Sequence, residues 1–220
     1  MAYSVADGTR FAFSTTFGTP IAVSGITNSA NPILSAAAHG LTAGTPFLLK
    51  TGWEDLSEAV LRVGATVNAG DFSLEDLDTT DTLFFPSGAS AGSLQAITGW
   101  QEIQQVTNLT PSGGEQQYAE AEPLAQRYSV RIPTRFSAQS LELEIGDDPS
   151  LPGYKLLVRA SRAQKLVAIR MLQSNGAVAY GYGYVSVNEF PNLAKGSVTT
   201  AAASITFQRP AKRYATAVPV

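Results

Sequence analysis

The chain has no cysteine and a single histidine among its 220 residues. A disulfide scaffold and a Cys-ligated zinc site are therefore excluded, and one imidazole leaves no His cluster for a metal and no repeated His relay. Charge is sparse at 15% of residues, and the formal net charge is −3, so the basic footprint of a nucleic-acid binder is missing. No stretch approaches the roughly 20 apolar residues of a spanning helix. The opening residues, Met1-Ala2-Tyr3-Ser4-Val5-Ala6-Asp7, carry neither the basic n-region nor the apolar h-region of a secretory signal. The expectation is a soluble product that stays where it is made, with no membrane partner. With 44% hydrophobic residues the chain is not disordered, and its length fits one or two domains.

What charge there is falls unevenly. Residues 50–81 hold eight acids (Glu54, Asp55, Glu58, Asp71, Glu75, Asp76, Asp78 and Asp81) against Lys50 and Arg62, a local balance of −6. The remainder carries +3, so two compositional units are expected. The acidic unit runs over 22–98. Its short apolar runs (Ile33-Leu34, Phe47-Leu48-Leu49, Val60-Leu61, Phe72-Ser73-Leu74) are separated by Gly, Pro, Asn and Asp, as in a small barrel or sandwich. Residues 87–93 read as a flexible return linker.

Period-2 patterns dominate elsewhere. Tyr128, Val130, Ile132, Thr134 and Phe136 alternate with Arg127, Ser129, Arg131, Pro133 and Arg135, which predicts a half-buried strand with an edge or bulge at Pro133. Leu141, Leu143 and Ile145 alternate with Glu142 and Glu144. A turn near Phe136-Ser137 would join the two runs as a hairpin and set Arg131 opposite Glu142. Residues 100–109 read as a strand and 110–117 as a mobile loop. One helix is predicted from a Ser150 cap, with Pro152 in the first turn, to about Ala163. Its stripe is Tyr154, Leu157, Val158 and Ser161, and Lys155, Arg159 and Arg162 form another face, available for surface contacts. Strands follow at 165–172, 177–187 and 197–208, with an Asn175-Gly176 hairpin turn. Residues 210–220 read as an arm.

The search for chemistry returns little. His39 reads as a structural turn histidine. The acids of the 54–81 stretch lack calcium-loop spacing, and Glu142 and Glu144 share one strand face, which is where solvent or a subunit contact is expected rather than a reaction centre. Gly181-Tyr182-Gly183 lacks the helix that a dinucleotide turn requires. Tyr180, Tyr182 and Tyr184 fall on one face and read as core or subunit-interface packing, because no basic groove accompanies them for base stacking. No cofactor, metal or enzyme activity is expected.

The residues 143–154 (Leu-Glu-Ile-Gly-Asp-Asp-Pro-Ser-Leu-Pro-Gly-Tyr), Lys165-Leu166-Val167-Ala168-Ile169, Tyr180-Gly181-Tyr182-Gly183-Tyr184-Val185-Ser186 and Glu189-Phe190-Pro191 resemble the major tail tube proteins of long-tailed, siphovirus-type bacteriophages. The resemblance covers 140–214 and is weaker over 100–139. The segments Ile26-Thr27-Asn28-Ser29-Ala30-Asn31-Pro32 and Ala38-His39-Gly40-Leu41-Thr42-Ala43-Gly44 resemble small β-modules of other phage structural proteins. The chain then divides into a discontinuous tube domain, 1–21 and 99–220, and an inserted module, 22–98. The implied fold is mostly β: a two-sheet sandwich or barrel with one flanking α-helix, plus a small barrel-like module.

The resemblance also implies a function. Family members form six-membered rings that stack into a hollow tube in the virion tail. Synthesis is in the host cytoplasm, and the expected partners are the tape-measure, tail terminator and tail-tip proteins. Viral DNA passes through without specific binding. A basic bore would hold phosphate and stall transit. Glu120, Glu122, Glu142 and Glu144 are therefore candidates for the lining. Arg127, Arg131 and Arg135 must be neutralised or turned toward a subunit interface. The competing expectations are a virion-surface or extracellular module that binds glycan or protein through the acidic unit and Trp53, and a hydrolase.

Overall fold

The computed structural model describes residues 7–125 and 127–216. Strand β1 (Arg10–Ser14) opens a first sheet, and the chain crosses at Thr15 into a second. That second sheet holds β2 (Thr16–Phe17), β3 (Ile21–Val23), β4 (Gly25–Ile26), β5 (Ile33–Ser35), β6 (Pro46–Thr51), β7 (Ala59–Val67), β8 (Asp71–Leu74) and β9 (Gly92–Thr98). The chain returns through Gly99-Trp100 to β10 (Gln101–Ile103) and β11 (Val106–Ser112). A separate ribbon follows, β12 (Gln116–Ala121) and β13 (Val130–Phe136). The first sheet is completed by β14 (Ser140–Gly146), β15 (Leu166–Leu172), β16 (Val178–Val187), β17 (Thr200–Phe207) and β18 (Lys212–Tyr214), with helix α1 (Pro152–Arg162) between β14 and β15. A mostly β chain with two large antiparallel sheets and one α-helix among the described residues bears out the expected fold class.

The first sheet runs β10-β1-β15-β16-β17-β14-β11, with β18 also on β16. Its two end strands, β10 and β11, are joined by Gln104-Gln105 alone. The sheet is therefore curled until its edges meet, a partly open barrel. Alternation fixes what points inward. Leu141, Leu143 and Ile145 of β14 are buried while Glu142 and Glu144 are exposed. With Phe11, Phe13, Val167, Ile169 and Ile205 they form the barrel core, which Leu157 and Ala160 of α1 join. In β16 glycine points into the barrel. A Cβ on Gly181 would stand 2.3 Å from the Phe207 ring, so the Tyr-Gly alternation lets that ring lie flat on the strand.

The second sheet, β2-β9-β6-β7-β8-β5-β4 with β3 on β9, wraps its own core of Leu34, Phe47, Leu49, Trp53, Val63 and Phe72. A third cluster joins the two bodies. Leu48, Val60 and Ile97 of the module pack against Ala168, Val178, Tyr180, Tyr182 and Tyr214 of the barrel wall. The module is thus a second layer on the barrel.

A polar lock crosses the same junction. Arg62 has 1% of its surface exposed and its guanidinium is paired with the Glu75 carboxylate. Its Nη1 donates to the Thr216 carbonyl at 2.5 Å, and its charge lies 4.3 Å from the Tyr214 ring centroid. The Arg62 backbone N–H donates to the Tyr214 hydroxyl at 3.0 Å. Lys212 Nζ donates to the Asp76 carbonyl, and Arg209 donates to the Ser57 carbonyl. The expected arm at 210–220 is therefore a docked strand as far as it is described. Residues 217–220, like 1–6, lie outside the described residues.

Other expectations are corrected. β13 pairs with β12, setting Arg131 opposite Glu120; β14 pairs with β11 and β17, setting Glu142 between Thr110 and Ser204. The chain runs on through Ser137–Gln139 instead of turning. Residues 110–117 are not a loop but the ends of β11 and β12, with an elbow at Gly113-Gly114. The 87–93 linker is anchored: Ser90 is buried and its hydroxyl accepts from the Ile26 N–H at 3.0 Å. Helix α1 starts at Pro152 with Leu151 as its cap, because the Ser150 N–H and hydroxyl are spent on Asp148. Its buried stripe is Gly153, Tyr154, Leu157 and Ala160.

Candidate assembly surfaces

Three surfaces stand out, each set by the pattern of the strands that carry it. The first is the outer wall of β11, β14 and β17. Register places Asn108 beside Glu144, Thr110 beside Glu142, and both glutamates against Ala202 and Ser204. Glu142 and Glu144 are exposed, and no layer of the described chain covers this polar wall. The opposite part of the barrel, β15, β16 and β18, is the part the module covers.

The second surface is the β12–β13 ribbon, which continues β11 and β14 beyond the elbow. Every residue of β13 is exposed, and of β12 only Ala121 is partly covered. Register puts Ala119, Ala121, Val130 and Ile132 on one face, an apolar stripe facing solvent. Glu120, Arg131, Tyr118 and Pro133 take the other. Glu120 accepts from the Ser129 hydroxyl at 2.9 Å and lies 3.9 Å from Arg131. Arg127 and Glu122 stand exposed in the apex segment, and Arg135 near the root. The four candidate glutamates are therefore split: Glu142 and Glu144 on the barrel wall, Glu120 and Glu122 on the ribbon.

The third surface surrounds α1. Lys155 and Arg159 are exposed, as is Arg162, which is clamped by Glu189, with donor-to-oxygen distances of 2.9 and 2.6 Å. The hydrogen bonds hold the Glu189 carboxyl below its ordinary range and raise the guanidinium.

The tyrosine stripe divides. Tyr180 and Tyr182 are 5% and 6% exposed, packed against the module, so they offer nothing to another subunit; burial pushes both phenols up. Tyr184 is the exposed member. The ligand-binding alternative loses its aromatic platform: Trp53 is buried and its Nε1 donates to the Pro86 carbonyl at 2.7 Å. His39 is buried with both ring nitrogens in use. Nε2 faces the Asn68 carbonyl and Nδ1 accepts from the Leu41 N–H. Two of the module's acids are held within the chain. Glu75 pairs with Arg62, and Asp78 accepts from the Thr80 N–H and hydroxyl, which hold its carboxyl low. Among the described residues no three His, Cys, Asp or Glu converge to hold a metal, and no helix is long and apolar enough to cross a membrane.

The residues that join barrel and module, Arg62 and Tyr214, were not visible as a pair in the sequence, since 152 positions separate them. The only signal is compositional, a lone arginine inside the acidic stretch.

Open wall, bare ribbon and exposed charges are features of a β-rich structural subunit that completes itself in an assembly. The comparison with known families agrees. Residues 51–216 match the phage tail tube protein family, and the chain belongs to it. The match starts at the end of β6 and runs through β18, taking in module strands as well as barrel strands. No curated protein matches the chain. It is a structural subunit that self-assembles into the tube of a virion tail, in a family that is structural and not an enzyme class.

Proposed function

We propose that copies of this chain close into six-membered rings whose stacking forms the channel for DNA leaving the capsid, with the wall of β11, β14 and β17 turned to the bore. The uncovered polar wall carrying Glu142 and Glu144 supports this reading most. Carboxylates repel phosphate and add no salt-dependent affinity, so a bore lined this way lets DNA slide. The apolar stripe of the β12–β13 ribbon is then covered by a neighbouring copy. Barrel and module correspond to a tube domain and an inserted module, with the module as an outer layer. The tape-measure protein occupies the bore before DNA does, and the terminator and tail-tip proteins cap the ends. Subunits made in the host cytoplasm stay largely monomeric until a tip template is present.

Phage carrying Glu142→Lys and Glu144→Lys test the lining. Each ring then presents added cations to the DNA. Ejection is expected to slow at low salt and to recover as salt rises. Ejection at parental rate at every salt concentration would contradict the placement.

A further inference from the structure

Two apolar features have no partner within the described chain, and they lie at opposite ends of the same strands. One is a slot of about 440 Å³ where β1 and β14 begin and β15 and β17 end. Its wall includes Phe11, Leu109, Leu141, Met171 and Phe207, and Arg213 is the one charged residue on it. Helix α1 closes the other end of the barrel, joining the core beside Ile103 and Val185.

The other feature is the segment 188–199, which links the end of β16 to the start of β17. It raises Phe190, Leu193 and Val198 into solvent, 84%, 78% and 76% exposed. Those exposures belong to a braced knob. Arg162 clamps Glu189, the Asn192 N–H donates to the Thr200 carbonyl at 2.7 Å, and the Asp147 N–H donates to the Thr199 carbonyl at 3.1 Å. β17 spans eight residues, which sets knob and slot roughly 26 Å apart. The chain cannot fill its own slot with its own knob.

Taking the chain as a tube subunit, we infer that the 188–199 knob of one copy seats in the slot of the copy stacked next to it along the tube. A knob at one end and a slot at the other make a heterologous contact that does not close on itself, which is what stacking needs. Charge adds a smaller term: at the knob end Arg162 answers Glu189 and Lys195 stands beside Asp147 and Asp148, while Arg10 and Arg213 stand at the slot end. Burying Phe190 and Leu193 in an apolar slot supplies the driving force.

The absence of cysteine makes the test clean. Full-length protein carrying both Leu193→Cys and Gln173→Cys is assembled into tubes and oxidised, with each single variant as a control. A ladder of covalent multimers longer than six subunits is expected from the double variant only. No ladder from it, or a ladder instead from Leu124→Cys with Gln173→Cys, would overturn the pairing and, in the latter case, give the slot to the ribbon apex. Phe190→Ser, at an exposed site, leaves the monomer melt unchanged and is expected to raise the critical concentration for elongation at least about tenfold. Normal tubes at parental concentration would also overturn it. Failure of the parent protein to form tubes even with the tail tip supplied as template would instead sink the tube reading.

Discussion

Arg62 carries a full charge inside the junction of barrel and module, and it is tolerated there because every direction is answered. Glu75 faces its guanidinium, the Thr216 carbonyl accepts from Nη1, and the Tyr214 ring lies under it. Removing the cation strands Glu75 beside a hole. Arg62→Leu is expected to cost about 3 kcal/mol in urea unfolding, the lower end for a broken buried pair because Glu75 keeps some water. An unchanged midpoint would mean the lock holds nothing. The tyrosines give a pH prediction. Burial raises Tyr154, Tyr180, Tyr182 and Tyr214 above the ordinary phenol value. Unfolded, they ionise at about pH 10; folded, they hold their protons to higher pH. The unfolded state then binds fewer protons, so their contribution is intact below about pH 10 and falls as pH rises through it. Unfolding midpoints at about pH 9 and about pH 11 measure the fall. Tyrosinate absorbance of the folded protein should show these four ionising at higher pH than a free phenol.

At the scale of elements the β12–β13 ribbon is the informative case. Two strands with no third partner are marginal in water, and this pair adds nothing to any of the three cores. Replacing residues 115–136 by a short Gly-Ser turn is expected to leave the unfolding midpoint within roughly 0.5 kcal/mol and to abolish tube formation in electron micrographs. A large loss of stability would show that the ribbon belongs to the monomer. The ribbon also shows what the sequence could reveal. Alternation from 127 to 136 identified a strand with an apolar face, yet that face is bare in the single chain. Periodicity reports that a face is to be covered, not by which copy. Pairing was misread for a different reason. Phe136-Ser137 offers no residue suited to positive φ, so no two-residue turn forms there, while Gly113 and Gly114, both at φ +77°, supply the elbow on the partner strand. Helix α1, β14, β15, β16 and β17 were legible because each carries its own local pattern, the helix through a proline in its first turn. The lock at Arg62 was not, because long-range pairing leaves no local pattern.

For the whole molecule, the division of labour between barrel and module carries the argument. Composition separated an acidic unit from the rest, but only packing shows that the unit covers the tyrosine wall. Excising residues 16–98 uncovers Tyr180, Tyr182 and Tyr214, each worth about 2–3 kcal/mol in burial, against a total margin of about 5–15 kcal/mol. The shortened chain is expected to lose near-UV circular dichroism and to aggregate in sedimentation. A soluble, folded product that still assembles would make the module peripheral. The same packing leaves one barrel wall free, and that wall is the acidic one.

A cryo-microscopy map of the intact tail, at a resolution that traces side chains, tests this most directly. The account predicts a shaft built from this chain, with Glu142 and Glu144 pointing into the bore and the module on the outside. A shaft made of another polypeptide, or one with the module lining the channel, would contradict it.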